Sequence, residues 1–130
     1  MKKTVLVVDD DPDLRRMYAT LIAKRGYEVI ARESAEDLVA LVVASEPVAI
    51  LIDLMMPGID GLEAVEQLRR DPRTRSVRVI MLSACHSFEA ARRSSELAVE
   101  RYLVKPATMD AVLAAIDGRS PERARAGACR

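Results

Sequence analysis

Short apolar runs, each followed by a stretch with helical spacing, constrain this chain more than any other feature. Residues 48–52 are apolar at every position, which a strand with one face in water cannot tolerate. Such a run belongs in the middle of a sheet covered on both sides. Thr4–Val8 is of the same kind and ends in acids; residues 27–31, residues 77–82 and Arg101–Val104 supply three more strands. Between them Leu14, Met17, Tyr18, Leu21 and Ile22 repeat at helical spacing, with Gly26 as the stop. Ser34, with Asp37 three residues on, predicts a capping box for a helix carrying Leu38, Leu41 and Val42, which Pro47 closes. Leu62, Val65 and Leu68 mark a third helix after the Pro57-Gly58 loop. Residues 89–97 form a weaker, polar one, and Thr108 caps a last helix carrying Val112, Leu113 and Ile116 up to Gly118.

Five strands alternating with five helices predict an α/β domain with a parallel sheet, and right-handed crossovers place helices on both faces. With only Phe88, Tyr18, Tyr27 and Tyr102 as aromatics, the core must be aliphatic. The length suits one domain, expected over residues 1–118. Residues 119–130 lack apolar periodicity, are rich in arginine and are expected to be a disordered tail. A formal net charge of zero gives no electrostatic reason to expect nucleic acid or an anionic membrane as partner. Two cysteines, Cys85 and Cys129, make no disulfide framework, and no apolar run is long enough to span a bilayer or serve as a signal segment. The expected location is the cytoplasm.

In open parallel sheets the ligand site lies beyond the carboxyl ends of the strands. Those ends carry Asp9, Asp10 and Asp11 after the first strand, Asp53 after the third, Ser83 and Ala84 after the fourth, and Lys105 with Pro106 after the fifth. Clustered carboxylates raise one another's pKa unless cations compensate. Lys105 provides one charge, and a hard divalent ion such as Mg²⁺ would provide the rest, using one or two carboxylates and phosphate oxygens. Carboxylates, Mg²⁺, a lysine and a hydroxyl are the parts needed for phosphoryl transfer, and one carboxylate could itself be the nucleophile. Asp11 and Asp13 fit better as the acidic start of the following helix. His86 reads as a surface residue, and Cys85 as a small apolar residue at the rim of the site.

The segments Val7-Val8-Asp9-Asp10, then Asp53-Leu54-Met55-Met56-Pro57-Gly58-Ile59-Asp60-Gly61, then Ser83-Ala84, then Tyr102-Leu103-Val104-Lys105-Pro106 together resemble the receiver domain of two-component response regulators, over about residues 3–118. The resemblance implies a flavodoxin-like, doubly wound five-stranded sheet of order 2-1-3-4-5. It implies Asp53 as phosphoacceptor, taking the group from the phosphohistidine of a sensor histidine kinase or a histidine phosphotransfer protein. Mg²⁺ would be bound by Asp9, Asp10, Asp53 and the backbone carbonyl of Met55. Lys105 would pair with the phosphoryl oxygens, ahead of a cis bond to Pro106. Ser83 would hydrogen-bond the phosphoryl group, and Tyr102 would turn inward as Ser83 moves, a two-state element biased by phosphorylation. The fourth helix, fifth strand and fifth helix would form the readout surface.

The chain departs from the family where Ala98 and Val99 replace the usual Gly-Ala before the fifth strand, and in its polar fourth helix. These bear on partner choice. The resemblance implies that the side chains at Met55 and Cys85 influence how readily water attacks the acyl phosphate; neither can orient water, so slow loss of the phosphoryl group is expected. No output domain follows Gly118 in this sequence, so output is expected to pass to a partner protein or onward in a relay. Two other readings compete: a receiver fold that binds partners without phosphorylation, and a Mg²⁺-dependent hydrolase working through an aspartyl phosphate. The second would need a substrate cap and a general acid, for which Asp60 is poorly placed.

Overall fold

The computed structural model describes residues 2–56, 58–84 and 87–118. Along the chain run β1 (Thr4–Val8), α1 (Pro12–Lys24), β2 (Glu28–Arg32), α2 (Leu38–Ser45), β3 (Ala49–Asp53), α3 (Gly61–Arg70), β4 (Val79–Ser83), α4 (Phe88–Glu96), β5 (Arg101–Val104) and α5 (Met109–Asp117). The strands form one sheet in the order β2-β1-β3-β4-β5, parallel at every pairing, as expected. β3 and β4 are buried along their whole length, whereas the edge strands β2 and β5 are only partly covered.

Successive strand residues point to opposite faces, so the sheet feeds two cores. On one face Leu6, Val8, Ile50, Ile52, Val79 and Met81 pack against α2, α3 and α4. On the other, Val7, Leu51, Ile80 and Leu82 meet Tyr18 and Ile22 of α1 and Val112 and Ile116 of α5. Each fully buried aliphatic side chain contributes about 1.5–3 kcal/mol by leaving water. The central strands are therefore where the fold is most strongly held.

Most helix starts follow their sequence signals. Asp11 accepts from the Asp13 and Leu14 amides at 2.9 and 3.2 Å, ahead of Pro12 at the first turn. Asp60 and Glu63 form a reciprocal box, and Thr108 accepts from Ala111 N–H at 3.0 Å. The box expected at Ser34 and Asp37 does not form. Ser34 Oγ accepts only from the Glu36 amide at 3.4 Å, and Asp37 caps α2 by backbone alone, at φ +59°. The cause is burial: Ala35 and Leu38 are both drawn into the core, closing a turn through Leu38 N–H to Ala35 O at 3.3 Å.

Three strand starts also differ from expectation: β3 begins at Ala49, one residue late, and β2 and β4 are displaced by side-chain contacts. β2 begins at Glu28 because Tyr27 turns its phenol to Asp117 Oδ1, 2.7 Å away on α5. β4 begins at Val79 because Val77 is held in a turn, its amide on Thr74 O at 3.2 Å and its carbonyl accepting from Arg69 Nη1 at 2.7 Å. Arg69 also donates to Arg75 O (2.9 Å), Leu97 O (2.8 Å) and Ala98 O (3.2 Å). It thereby supports the turn where Ala98 takes φ +58°. A non-glycine residue in that region costs roughly 1–2 kcal/mol.

Candidate functional site

Parallel strands bring their carboxyl ends to one edge, and the acids, hydroxyl and lysine of the sequence gather there. Asp53 closes β3 and is 6 % exposed; Asp9 follows β1 and is 2 % exposed. Lys105 Nζ stands 3.4 Å from Asp53 Oδ1 and 3.6 Å from Asp9 Oδ2. Asp10 is exposed, and ligand oxygens of Asp9, Asp10 and Asp53 lie within 4.8 Å of one another. Ser83 ends β4, fully buried, and its carbonyl accepts from the Lys105 amide at 2.7 Å. The Lys105–Pro106 bond is cis.

Local structure explains the placement. The Asp9 amide bonds Arg32 O at 3.1 Å, and its Oδ1 accepts from the Asp11 amide at 2.9 Å. Its Oδ2 is buried and, among the described residues, has no hydrogen-bond partner. Leu54 N–H continues the sheet onto Leu82 O at 2.8 Å, fixing the chain just after Asp53. Met55 then turns its side chain to solvent, 61 % exposed, between buried Leu54 and Met56. Tyr102 is half-buried and packs on the core shared with α3 and α4.

The charges do not balance. Two nearly buried carboxylates share one ammonium, with a third carboxylate at the rim. At about 3.5 Å an ion pair gains about 5 kcal/mol gross at an effective dielectric near 20. Desolvating each ion costs several kcal/mol. One lysine cannot compensate two buried acids. Burial accordingly raises the Asp53 carboxyl above its usual range; Lys105 and the Met55 amide work to lower it, and Asp9 adds to the rise. For Lys105, burial works downward, but Asp9 and Asp53 outweigh it and the net shift is upward. The Asp53 shift reports chiefly its burial, whereas the Lys105 shift reports the two acids beside it. A divalent cation fits this donor set: the ligands are hard oxygens, and among the described residues Asp9 Oδ2 accepts no hydrogen bond, with only the Lys105 charge 3.6 Å away.

Three residues here carry no role in the sequence reading. Arg15 Nη1 donates to Asp9 O at 2.7 Å, pinning the corner between β1 and α1. Tyr18 is buried; burial raises its phenol, which also lies in the field of Lys105, Asp9 and Asp53. Gly61 begins α3 so close to β3 that a Cβ would sit 2.7 Å from Asp53 O and 2.9 Å from Leu54 Cα. Only the glycine had a signal, a poor helix former at the first helical position. Asp60 is spent as a helix cap, its Oδ1 accepting from the Glu63 amide at 2.9 Å. Pro57, Cys85, His86 and residues 119–130 lie outside the described residues, so the rim role expected for Cys85, the surface reading of His86 and the tail stay expectations. Among the described residues no helix is long and apolar enough to cross a membrane.

Comparison with known proteins agrees with this geometry. The family profile described as response regulator receiver domain matches residues 5–117. The phosphate regulon transcriptional regulatory protein PhoB of Pseudomonas aeruginosa is 35 % identical over 104 residues, 80 % of this chain and 45 % of that protein. This chain therefore spans about half the length of such relatives. Protein PilG of the same organism is 31 % identical over 117 residues, covering 90 % of this chain and 87 % of PilG. The Vibrio cholerae chemotaxis protein CheY4 shares the fold, with a TM-score of 0.83 at 24 % identity over 92 % of this chain and all of CheY4. A profile match over nearly the whole described chain, on a sheet of order β2-β1-β3-β4-β5, places this protein in the response regulator receiver domain family.

Proposed function

We propose that the protein is a phosphorylation-dependent switch of a two-component phosphorelay, taking a phosphoryl group onto Asp53 from a phosphohistidine. Receiver domains are signalling modules of two-component systems, not classical enzymes. The observation that carries the proposal is the nearly buried Asp53 carboxylate with Lys105 Nζ 3.4 Å away and the unbonded Asp9 oxygen beside the same lysine. The donor is a sensor histidine kinase or a histidine phosphotransfer protein.

In the transfer, an Asp53 oxygen attacks phosphorus as the P–N bond to the donor histidine breaks, and the imidazole leaves with that electron pair. Asp53 must be ionised to attack, and Lys105 helps keep it so. The Lys105 ammonium then neutralises charge on the phosphoryl oxygens, already positioned for the task. Asp9, Asp10, Asp53 and the Met55 carbonyl would hold Mg²⁺, which supplies further charge neutralisation and orientation. Buried neighbours keep bulk water from Asp53.

Ser83 stands at the end of the adjacent strand, and its hydroxyl is the group proposed to bond the new phosphoryl oxygens. Lys105 N–H on Ser83 O ties that movement to β5, where Tyr102 has partly exposed surface left to bury. The readout passes through α4, β5 and α5 to a protein partner in the cytoplasm, with no direct role for nucleic acid or membrane. A hydrolase is disfavoured by Asp60, whose carboxylate is committed to the cap of α3.

Intact mass after incubation with acetyl phosphate and Mg²⁺ tests the reading, with Asp53→Asn as control. A phosphoryl adduct in the wild type that the variant lacks supports it. No adduct in either would leave a receiver fold acting without phosphorylation, and phosphoester turnover without an adduct would mean a hydrolase.

A further inference from the structure

The least explained element is α2. Apart from Ser45 it is apolar throughout, and it carries no charge in eight residues. A helix apolar all round is normally covered all round. Yet only Leu38 and Val42 are buried; Val39 and Val43 are half-exposed, and Ala40 and Ala44 are exposed. Beside this uncovered face runs a groove of about 670 Å³ between α2 and α3, floored by Val39, Ala40, Val43 and Ile59. Glu36 and Asp37 stand at its upper end, nearest the site edge of the sheet. A hollow of about 460 Å³ continues it downward, sharing Val43 and Arg73 and adding Glu46, Pro47 and Val77. Arg73, the one cation among the lining residues, is held by Asp71 at 2.9 Å. The trough is thus aliphatic along α2, with Glu36, Asp37 and Glu46 as its acids and Gln67 and Arg73 among its polar lining.

The chain carries a segment of matching chemistry. Residues 1–118 hold sixteen basic and nineteen acidic side chains, net −3; residues 119–130 hold four arginines and one glutamate, net +3. Arg123-Ala124-Arg125-Ala126-Gly127-Ala128 alternates with period two, so an extended backbone would put the alanines on one face and the arginines on the other. The starting point is also suitable. A Cβ on Gly118 would lie 3.7 Å from Arg78 Nη2, and Arg78 Nη1 donates to Val48 O at 3.4 Å. Val48 and Arg78 directly follow Pro47 and Val77, which line the lower hollow. Four residues extended cover about 13 Å, enough to pass the lower edge of the sheet.

We propose that residues 119–130 fold back under the sheet and seat in the α2–α3 groove, alanines against Val39 and Val43 and arginines toward Glu36, Asp37 and Glu46. Because the segment is tethered at Gly118, its effective concentration at the groove is of millimolar order, so a weak contact suffices. The occupant is thus this chain itself, in the same molecule. The inference stands apart from the phosphorylation proposed above.

The test places a nitroxide on Cys129 of the full chain, with Cys85→Ser to leave one thiol, and reads methyl intensities by NMR. Val39 and Val43 should lose their signals while Leu14 and Met109, on the opposite face, keep theirs. The signals should return near 1 M salt, where the Debye length is about 3 Å. They should also return in Glu36→Lys/Asp37→Lys/Glu46→Lys, a change of exposed side chains only, and be lost again when Arg123→Glu/Arg125→Glu is added. Even or absent quenching overturns the proposal. So does quenching centred on Leu54 and Met56 beside the acidic site, or quenching that appears on isotope-labelled molecules mixed with nitroxide-bearing, unlabelled ones, which would make the occupant a second copy.

Discussion

Gly61→Ala probes how tightly the start of α3 is held against the end of β3. The added Cβ would meet Asp53 O at 2.7 Å and Leu54 Cα at 2.9 Å, where ordinary contact begins at 3.4 Å. Both atoms are backbone, so something must move by half an ångström or more. α3 cannot withdraw freely: Ala64, Val65 and Leu68 are buried behind it, and Gly61 N–H bonds Leu54 O at 2.9 Å. Overpacking of this kind costs about 1–3 kcal/mol, and alanine's smaller unfolded-state entropy offsets about 0.4–1 kcal/mol. The expected net loss is about 1–2 kcal/mol, read as a lower urea midpoint with unchanged slope. Because the strained atom is Asp53's own carbonyl, the Asp53 carboxylate ¹³C shift should move as well. Gly58→Ala is the matched control. Its φ is +79° with nothing within 4 Å among the described residues, so it should cost about 1–2 kcal/mol from backbone strain alone and leave the Asp53 shift in place. A Gly61→Ala protein as stable as the wild type, or more so, would show that the approach has slack and refute the argument.

Burial holds the Asp53 carboxyl above its ordinary value of 3.8, so the folded chain keeps a proton the unfolded chain has released. Stability from this group is full below that pH and is lost as pH rises through the folded pKa. Asp53→Asn should therefore exceed the wild type in urea midpoint at neutral pH, with the gap closing toward pH 3.8; a gap independent of pH would contradict this. Mg²⁺ should raise the melting temperature, by the equivalent of about 2.7 kcal/mol at a hundredfold excess over Kd, and Asp10→Asn should abolish most of that gain. Equal gains in both proteins would remove Asp10 from the ligand set. Finally, Met55→Asn/Cys85→Glu supplies side chains able to orient water, so the phosphoryl adduct should decay faster than in the wild type by time-resolved intact mass. An unchanged lifetime would dismiss the role given to these two positions.

Local chemistry sufficed for much of the fold. Asp11, Asp60 and Thr108 cap helices because their oxygens reach amides two or three residues on, a matter of short-range geometry that any reader of the chain can apply. Residues 48–52 announced a doubly covered strand because an apolar residue at each position leaves no face for water. Ser34 and Asp37 had the same local credentials and failed, since the burial of Ala35 and Leu38 was the stronger demand. Strand starts slipped for a related reason: Tyr27 is claimed by Asp117 ninety residues away, and Val77 by Arg69.

The sequence by itself determined the inventory of the site and its order: Asp9, Asp10, Asp53, Ser83 and Lys105 each end an apolar run, and parallel pairing sends all such ends to one edge. Only the tertiary structure decided how those groups meet. It set Lys105 between two buried acids, left Asp9 Oδ2 without a hydrogen bond among the described residues, and pressed Gly61 onto Asp53. Distance and desolvation depend on every element packed around a group at once, so they have no counterpart in the identity of any single residue.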